Sequence, residues 1–270
     1  MRKPIITAGL IAGITLLVTN AAWGGTSLGP DEKYDPQVNP ADFTASITNP
    51  YFSPTVGKKL VYEQETEDGK ERIEILVPGW TKEILGVETL VSWYRAYRDG
   101  ELIEDVRDYY AQHKNGDIWY FGEHVDAYED GKLHDHDGAW IAGIDGAKTG
   151  VWMLADPQPG DEFRVEFYKT EAEDIRKIES RHEKATVPQG TYTDCVKTFD
   201  WAPHDKGTGN TYFCSEIGGA ALEVDLVGPD TPTEQHLKLI ELDKDGARGM
   251  TEVPAAYTKE GVVARRAKAQ

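Results

Sequence analysis

Four dipeptides do most to limit what this chain can fold into: Asp68-Gly69, Asp99-Gly100, Asn115-Gly116 and Asp130-Gly131. Each separates two runs in which apolar and polar residues alternate. Asp, Asn and Gly tolerate the positive φ that tight hairpin turns demand, so each dipeptide predicts a reversal between antiparallel strands. Alternation continues beyond them. Ile73, Ile75 and Val77 share one face while Arg72 and Glu74 take the other; Phe163, Val165 and Phe167 face away from Arg164 and Glu166; Val224 and Leu226 sit between Glu223, Asp225 and Val227. A period of two with charges outward predicts sheets with one wet face, hence antiparallel pairing. The expected fold is all-β, an antiparallel meander forming a barrel or half-barrel with few short helices. Glu171 to Lys184 is the one plausible helix, and it reads better as a long irregular strand. Pro188-Gln189-Gly190 fits a type II turn, and Gly228-Pro229-Asp230-Thr231 closes a last hairpin.

The ends differ from this body. Arg2 and Lys3 precede an uncharged run from Pro4 to Thr19, followed by small residues around Ala21-Ala22. This is the pattern of a secretory signal, and the run is shorter than the roughly 20 residues a membrane span needs. The expected organisation is a signal peptide over 1–24, an extended lead-in over 25–54, a single β domain over 55–245 and a partly basic tail over 246–270. That implies a periplasmic or secreted protein with no membrane span after signal removal. The formal net charge of −18 excludes nucleic acid as a partner, because a phosphate backbone would be repelled by most of this surface.

Cys195 and Cys214 are the only cysteines, and in an oxidising compartment two thiols in one domain pair. Thr191–Trp201 and Asn210–Ser215 read as strands around a turn-rich loop. A hairpin register that opposes Cys195 to Cys214 also opposes Phe199 to Asn210, so the two sulfurs can meet across it.

Several separated motifs, in order, carry a resemblance: Asn49-Pro50-Tyr51-Phe52 with Leu60-Val61-Tyr62-Glu63, then Trp119-Tyr120-Phe121-Gly122-Glu123, then Trp140 to Gly150, then Val187-Pro188-Gln189-Gly190-Thr191-Tyr192. In these the chain resembles a group of exported bacterial β-rich proteins of uncharacterised function. The resemblance implies an exported β domain similar to the curved half-barrels of lipoprotein carriers. It implies no catalytic residue.

No nucleophile elbow, metalloprotease helix, phosphate loop or paired-cysteine zinc spacing is present. The best local constellation is Leu133-His134-Asp135-His136-Asp137. In a strand, His134 and His136 share a face about 7 Å apart, and neutral imidazoles suit copper, zinc or nickel. A third ligand depends on the hairpin through Asp130-Gly131. A three-residue bulged loop opposes Tyr128 to Lys132, places His124 against His136 and Asp126 against His134, and gathers a possible transition-metal site. A two-residue turn sends His124 to the other face. Glu241 to Gly246 with Glu252 partly matches a calcium loop but lacks its first and eighth residues, and reads as an acidic turn.

Aromatics are dense: Trp93-Tyr94, Tyr109-Tyr110, Trp119-Tyr120-Phe121, Trp140, Trp152 and Trp201. A curved sheet would bury one set and offer the other to a small-molecule or apolar ligand in its concavity. The expected function is an exported soluble binding or carrier module, not an enzyme. The alternatives are a secreted hydrolase using paired carboxylates and a metal-binding periplasmic protein.

Overall fold

A computed structural model describes residues 33–203, 207–227 and 231–250. The signal segment, most of the basic tail and the turn at Gly228-Pro229-Asp230 lie outside them. The alternating runs form β1 (Phe43–Thr44), β2 (Lys59–Thr66), β3 (Gly69–Leu76), β4 (Thr81–Ile84), β5 (Val87–Arg98), β6 (Glu101–His113), β7 (Ile118–Glu129) and β8 (Lys132–Asp135). They are followed by β9 (Trp140–Ile141), β10 (Gly150–Met153), β11 (Glu162–Arg164), β12 (Ile175–Val187), β13 (Gly190–Trp201), β14 (Thr208–Cys214), β15 (Gly219–Val227) and β16 (Thr231–Asp243). The described residues contain no α-helix; a 3-10 turn lies at Pro40–Asp42. No helix among them is long and apolar enough to cross a membrane.

All pairing is antiparallel, and the main path runs β10-β7-β6-β5-β3-β2-β16-β15-β14-β13-β12-β11. Two meanders are thus joined where the last strand returns to the first long one. The sheet is not closed, but its two ends approach each other. Lys148 and Phe167 form a lone bridge, with the Lys148 N–H donating to the Phe167 carbonyl at 2.8 Å. Gly150 at this seam leaves no room for a side chain, since a Cβ would lie 1.9 Å from the Val165 carbonyl oxygen.

The turns explain the register. Asp99-Gly100 and Asp130-Gly131 are two-residue turns with both φ angles positive, at 48° and 87° and at 51° and 69°, the mirror-image turn whose twist suits a hairpin. Asn115-Gly116 turns as expected, with the Gly116 N–H donating to the His113 carbonyl at 2.8 Å. At the first dipeptide the reversal falls one residue early: Thr66 opposes Gly69, so Glu67-Asp68 make the turn. Leu85-Gly86 makes another positive-φ turn, between Ile84 and Val87, that no Asp or Asn announces. The turn after Val187 is not type II, because Gln189 does not take the positive φ that type II requires there. The segment from Ile175 is a strand, and an irregular one, with three breaks of register against β13.

Two main cores result, beside a small cluster of Val106, Val125 and Ala139. One gathers Val87, Leu90, Tyr110, Ile118, Tyr120, Phe121, Trp140, Val151 and Met153; the other gathers Tyr62, Ile73, Ala96, Cys195, Cys214, Ala221 and Leu239. Full burial of a side chain such as Ile73 contributes roughly 1.5–3 kcal/mol, so these clusters supply the drive to curl the sheet. The lead-in is part of this packing from Tyr34 onward. The Tyr34 hydroxyl donates to the Thr149 carbonyl at 2.7 Å, and Asn49 accepts from the Tyr51 N–H at 2.9 Å while donating to the Leu154 carbonyl at 2.9 Å. At the other end Ala247 is buried and Trp80 donates to the Met250 carbonyl at 3.1 Å.

Candidate functional site

Cys195 and Cys214 form a disulfide, opposed across the β13–β14 hairpin with Cα atoms 4.0 Å apart. The register that the pairing demanded runs on through Val196 with Phe213 and Lys197 with Tyr212.

The histidine cluster takes another form. Asp130-Gly131 is a two-residue turn, so Glu129 opposes Lys132 and Tyr128 opposes Leu133, and the bulged loop that would have gathered the ring nitrogens is not formed. A break of register between Tyr128 and Ala127 then shifts the pairing, and Ala127 opposes Asp135. Asp126 consequently meets His136, not His134, with Oδ1 2.8 Å from the Nδ1 of His136. His134 is 60% exposed beside Glu129 and Asp135. His124 is buried opposite Arg107, its Nδ1 3.5 Å from the Tyr109 hydroxyl. The imidazoles have three different settings. Among the described residues no group of three or more His, Cys, Asp or Glu is placed to hold a metal ion.

What the fold does assemble is on its inner face. Register pairing puts Asp108 opposite Glu123 and Tyr110 opposite Tyr120, between β6 and β7. Two residues on β6 thereby match three on β7, and the extra residue is accommodated at Gly122, which bulges with φ of 129°. A Cβ there would sit 2.4 Å from the Trp140 carbonyl oxygen. The bulge brings both Tyr120 and Glu123 to the inner face, where simple alternation would have separated them. Glu123 also opposes Trp140, whose Nε1 donates to the Glu166 carboxylate at 2.6 Å. The Tyr120 hydroxyl donates to Asp108 at 2.7 Å. Tyr110 stacks on Tyr120 at 4.8 Å, and Trp152 closes on both rings at 5.1 and 5.3 Å.

Further acids share this interior. Glu104 lies on the same face of β6 as Asp108, and Glu223 projects from β15. Three strands lie between β5, which carries Tyr94, and β15 in the sheet order. The sheet curls until its two ends meet at the Lys148–Phe167 bridge, which turns these walls toward a common interior. Asp108, Glu104, Glu123 and Glu223 are each half-buried: protein surrounds the carboxyls, yet water still reaches them.

The electrostatics follow from that placement. Burial pushes Glu104 up to about 7, and neighbouring Asp108 and Glu71 push the same way. Burial raises Asp108 to about 7 against the opposing pull of the Tyr120 hydrogen bond and Arg107. Glu223 also reaches about 7, through burial and the nearby Asp200. Glu123 and Glu166 stand well above the ordinary carboxylate range, by burial first and then by acidic neighbours, Glu166 for Glu123 and Asp174 for Glu166. Nearby Asp200 is saturated with donors: Arg176 donates at 2.6 Å, and Thr198 and Thr211 each at 2.9 Å.

The outer face offers an open groove lined by Glu63, Lys70, Arg72, Glu74, Tyr97 and Asp99, in which Lys70 pairs with Glu63 at 2.6 Å, Arg72 pairs with Glu74 at 3.2 Å, and Asp99 accepts the Lys70 backbone N–H at 3.1 Å. Alternation alone would not have found the inner acids. The signal available was Gly122 inside a strand pattern, which marks a bulge. No family model, curated protein or solved structure matches the chain.

Proposed function

We propose that this chain is an exported binding or carrier module that takes a small ligand into the acid- and aromatic-lined trough of its inner face. The observation that carries the reading is the juxtaposition of water-reached Asp108 and Glu123 with the ring cluster of Tyr110, Tyr120 and Trp152. Groups left short of partners at this depth are costly to a fold, and a bound ligand would supply what they lack. The disulfide supports an oxidising compartment, and the signal-like start of the sequence supports export. Native mass spectrometry of the protein purified without denaturation tests the reading. A retained adduct, or one acquired from a small-molecule extract and lost on Tyr110→Ala, is expected; a bare protein that acquires nothing would overturn it.

The register pair Asp108 and Glu123 favours one second reading, carboxylate-based hydrolysis. It ranks lower on physical grounds, because such chemistry needs one carboxyl kept protonated and its partner kept ionised. Here burial pushes both upward together. Turnover of chromogenic glycosides, abolished by Asp108→Asn or Glu123→Gln, would establish hydrolysis in place of binding.

A further inference from the structure

We propose that the ligand of the inner trough is an organic cation, a primary ammonium carried on an aromatic body. The inference rests on the binding reading above and specifies its chemistry. The first support is the charge balance of the walls. Among the described residues no salt bridge reaches Glu104, Asp108, Glu123, Glu166 or Glu223, whereas every acid of the outer groove's Lys70–Glu63 and Arg72–Glu74 pairs has a basic partner. Arg176 is held by Asp200 at 2.6 Å and donates to the Trp152 carbonyl at 2.8 Å, and Arg98, on the same face of β5 as Tyr94, is held by Glu71, so neither has much left to offer an anion.

The second support is independent of the acids. The Tyr94 hydroxyl is shut off from solvent and has no hydrogen-bond partner, and Tyr94 opposes Val106, which puts it on the same face of the sheet as Glu104 and Asp108. Its oxygen has lone pairs free to accept an N–H from an ammonium group in that space. The Trp152 Nε1 is likewise enclosed without a partner. The third support is the ring wall. Arg176 already lies 4.8 Å over Trp152 and 4.7 Å from the centre of Phe213, which shows that these faces accept a cation. Tyr110 and Tyr120, buried and stacked on each other, back the half-buried Trp152 ring. A neutral apolar ligand would leave the carboxyls unmatched, and an anion would meet like charge on every side.

Isothermal calorimetry with three phenyl probes of similar size tests this: 2-phenylethylammonium, 2-phenylethanol and 3-phenylpropanoate. The condition is pH 8, above the midpoints near 7 of Glu104, Asp108 and Glu223. The expected order is ammonium tighter than alcohol by about tenfold or more, as a desolvated charge contact requires, with no measurable binding of the carboxylate. Asp108→Asn should weaken the ammonium by about tenfold and leave the alcohol unchanged. Glu67→Gln, on an exposed turn, should change neither, which separates a site from diffuse collection of cations by an acidic surface. If the alcohol or the carboxylate binds as tightly as the ammonium, the cationic assignment falls and the trough remains a site. If none of the three binds, the trough reading falls with it.

Discussion

The two faces of β6 treat their acids in opposite ways. On the outer face Asp105 is buried and fully matched: Arg107 forms a short ion pair with it, Trp93 donates at 2.9 Å and Arg95 stands 3.7 Å away. Arg107 in turn lies 4.2 Å from the centre of the Trp93 ring. Three residues on, Asp108 faces inward, receives one hydroxyl from Tyr120 and otherwise looks at Glu123 and Glu104. A carboxylate with its countercharge built in belongs to the fold. One placed among other carboxylates, still reached by water, costs the fold stability and is best understood through what it binds.

The largest effect should come from breaking the matched face. Arg107→Met strands Asp105 and should cost about 3–5 kcal/mol, the usual cost of removing one partner of a buried pair. Urea unfolding measures it, and on the same curve Asp108→Asn should be neutral or stabilising at pH 8. Similar losses from both would erase the distinction between the faces. Next in size, replacing Cys195 and Cys214 together by Ala removes a cross-link of sequence separation 19 and should cost about 3 kcal/mol on the chain-entropy account. It should leave the pH dependence of stability unchanged, because the acids that titrate are elsewhere.

Gly122→Ala sharpens the comparison differently. It should cost about 2–3 kcal/mol through strain and collision with the Trp140 backbone, and it should also reduce the pH dependence, since Glu123 would no longer be held against Asp108. Differential scanning calorimetry at pH 5 and pH 8 reads both effects. A further effect comes from pH itself. Glu104, Asp108 and Glu223 titrate near 7 in the folded chain and near 4 in the unfolded one. Between those values the folded state holds more protons, so stability falls as pH rises from about 4 to about 7. The Tm should therefore be higher at pH 5 than at pH 8. Asp194 and Glu216, held below their usual range by hydrogen bonds, act oppositely and lose their contribution only at lower pH.

Much of the frame was legible in the residues. The opposition of Cys195 to Cys214 followed from one hairpin register, and the irregularity of Ile175–Val187 followed from its imperfect alternation. Hairpin arithmetic holds only while the ladder is unbroken, however. It held from Cys195 to Asp200 against β14, and it failed at Ala127–Tyr128, where one break carried Asp126 from His134 to His136. The same limit hid the inner acids. Alternation assigns Tyr120 and Glu123 to opposite faces, and only the bulge at Gly122 unites them. Leu85-Gly86 was missed because Leu is rarely found at positive φ, and the neighbouring pairing of β4 with β5 imposes it.

The central claim, that the inner face keeps a set of unmatched carboxyls, is tested most directly by following side-chain carboxyl carbons of the ligand-free protein by NMR from pH 4 to 9. The account predicts that Glu104, Asp108 and Glu223 titrate near 7, that Glu123 and Glu166 remain protonated well above the usual carboxylate range, and that Asp194 titrates below it. Titration of every inner carboxyl at ordinary values of about 4 would contradict it.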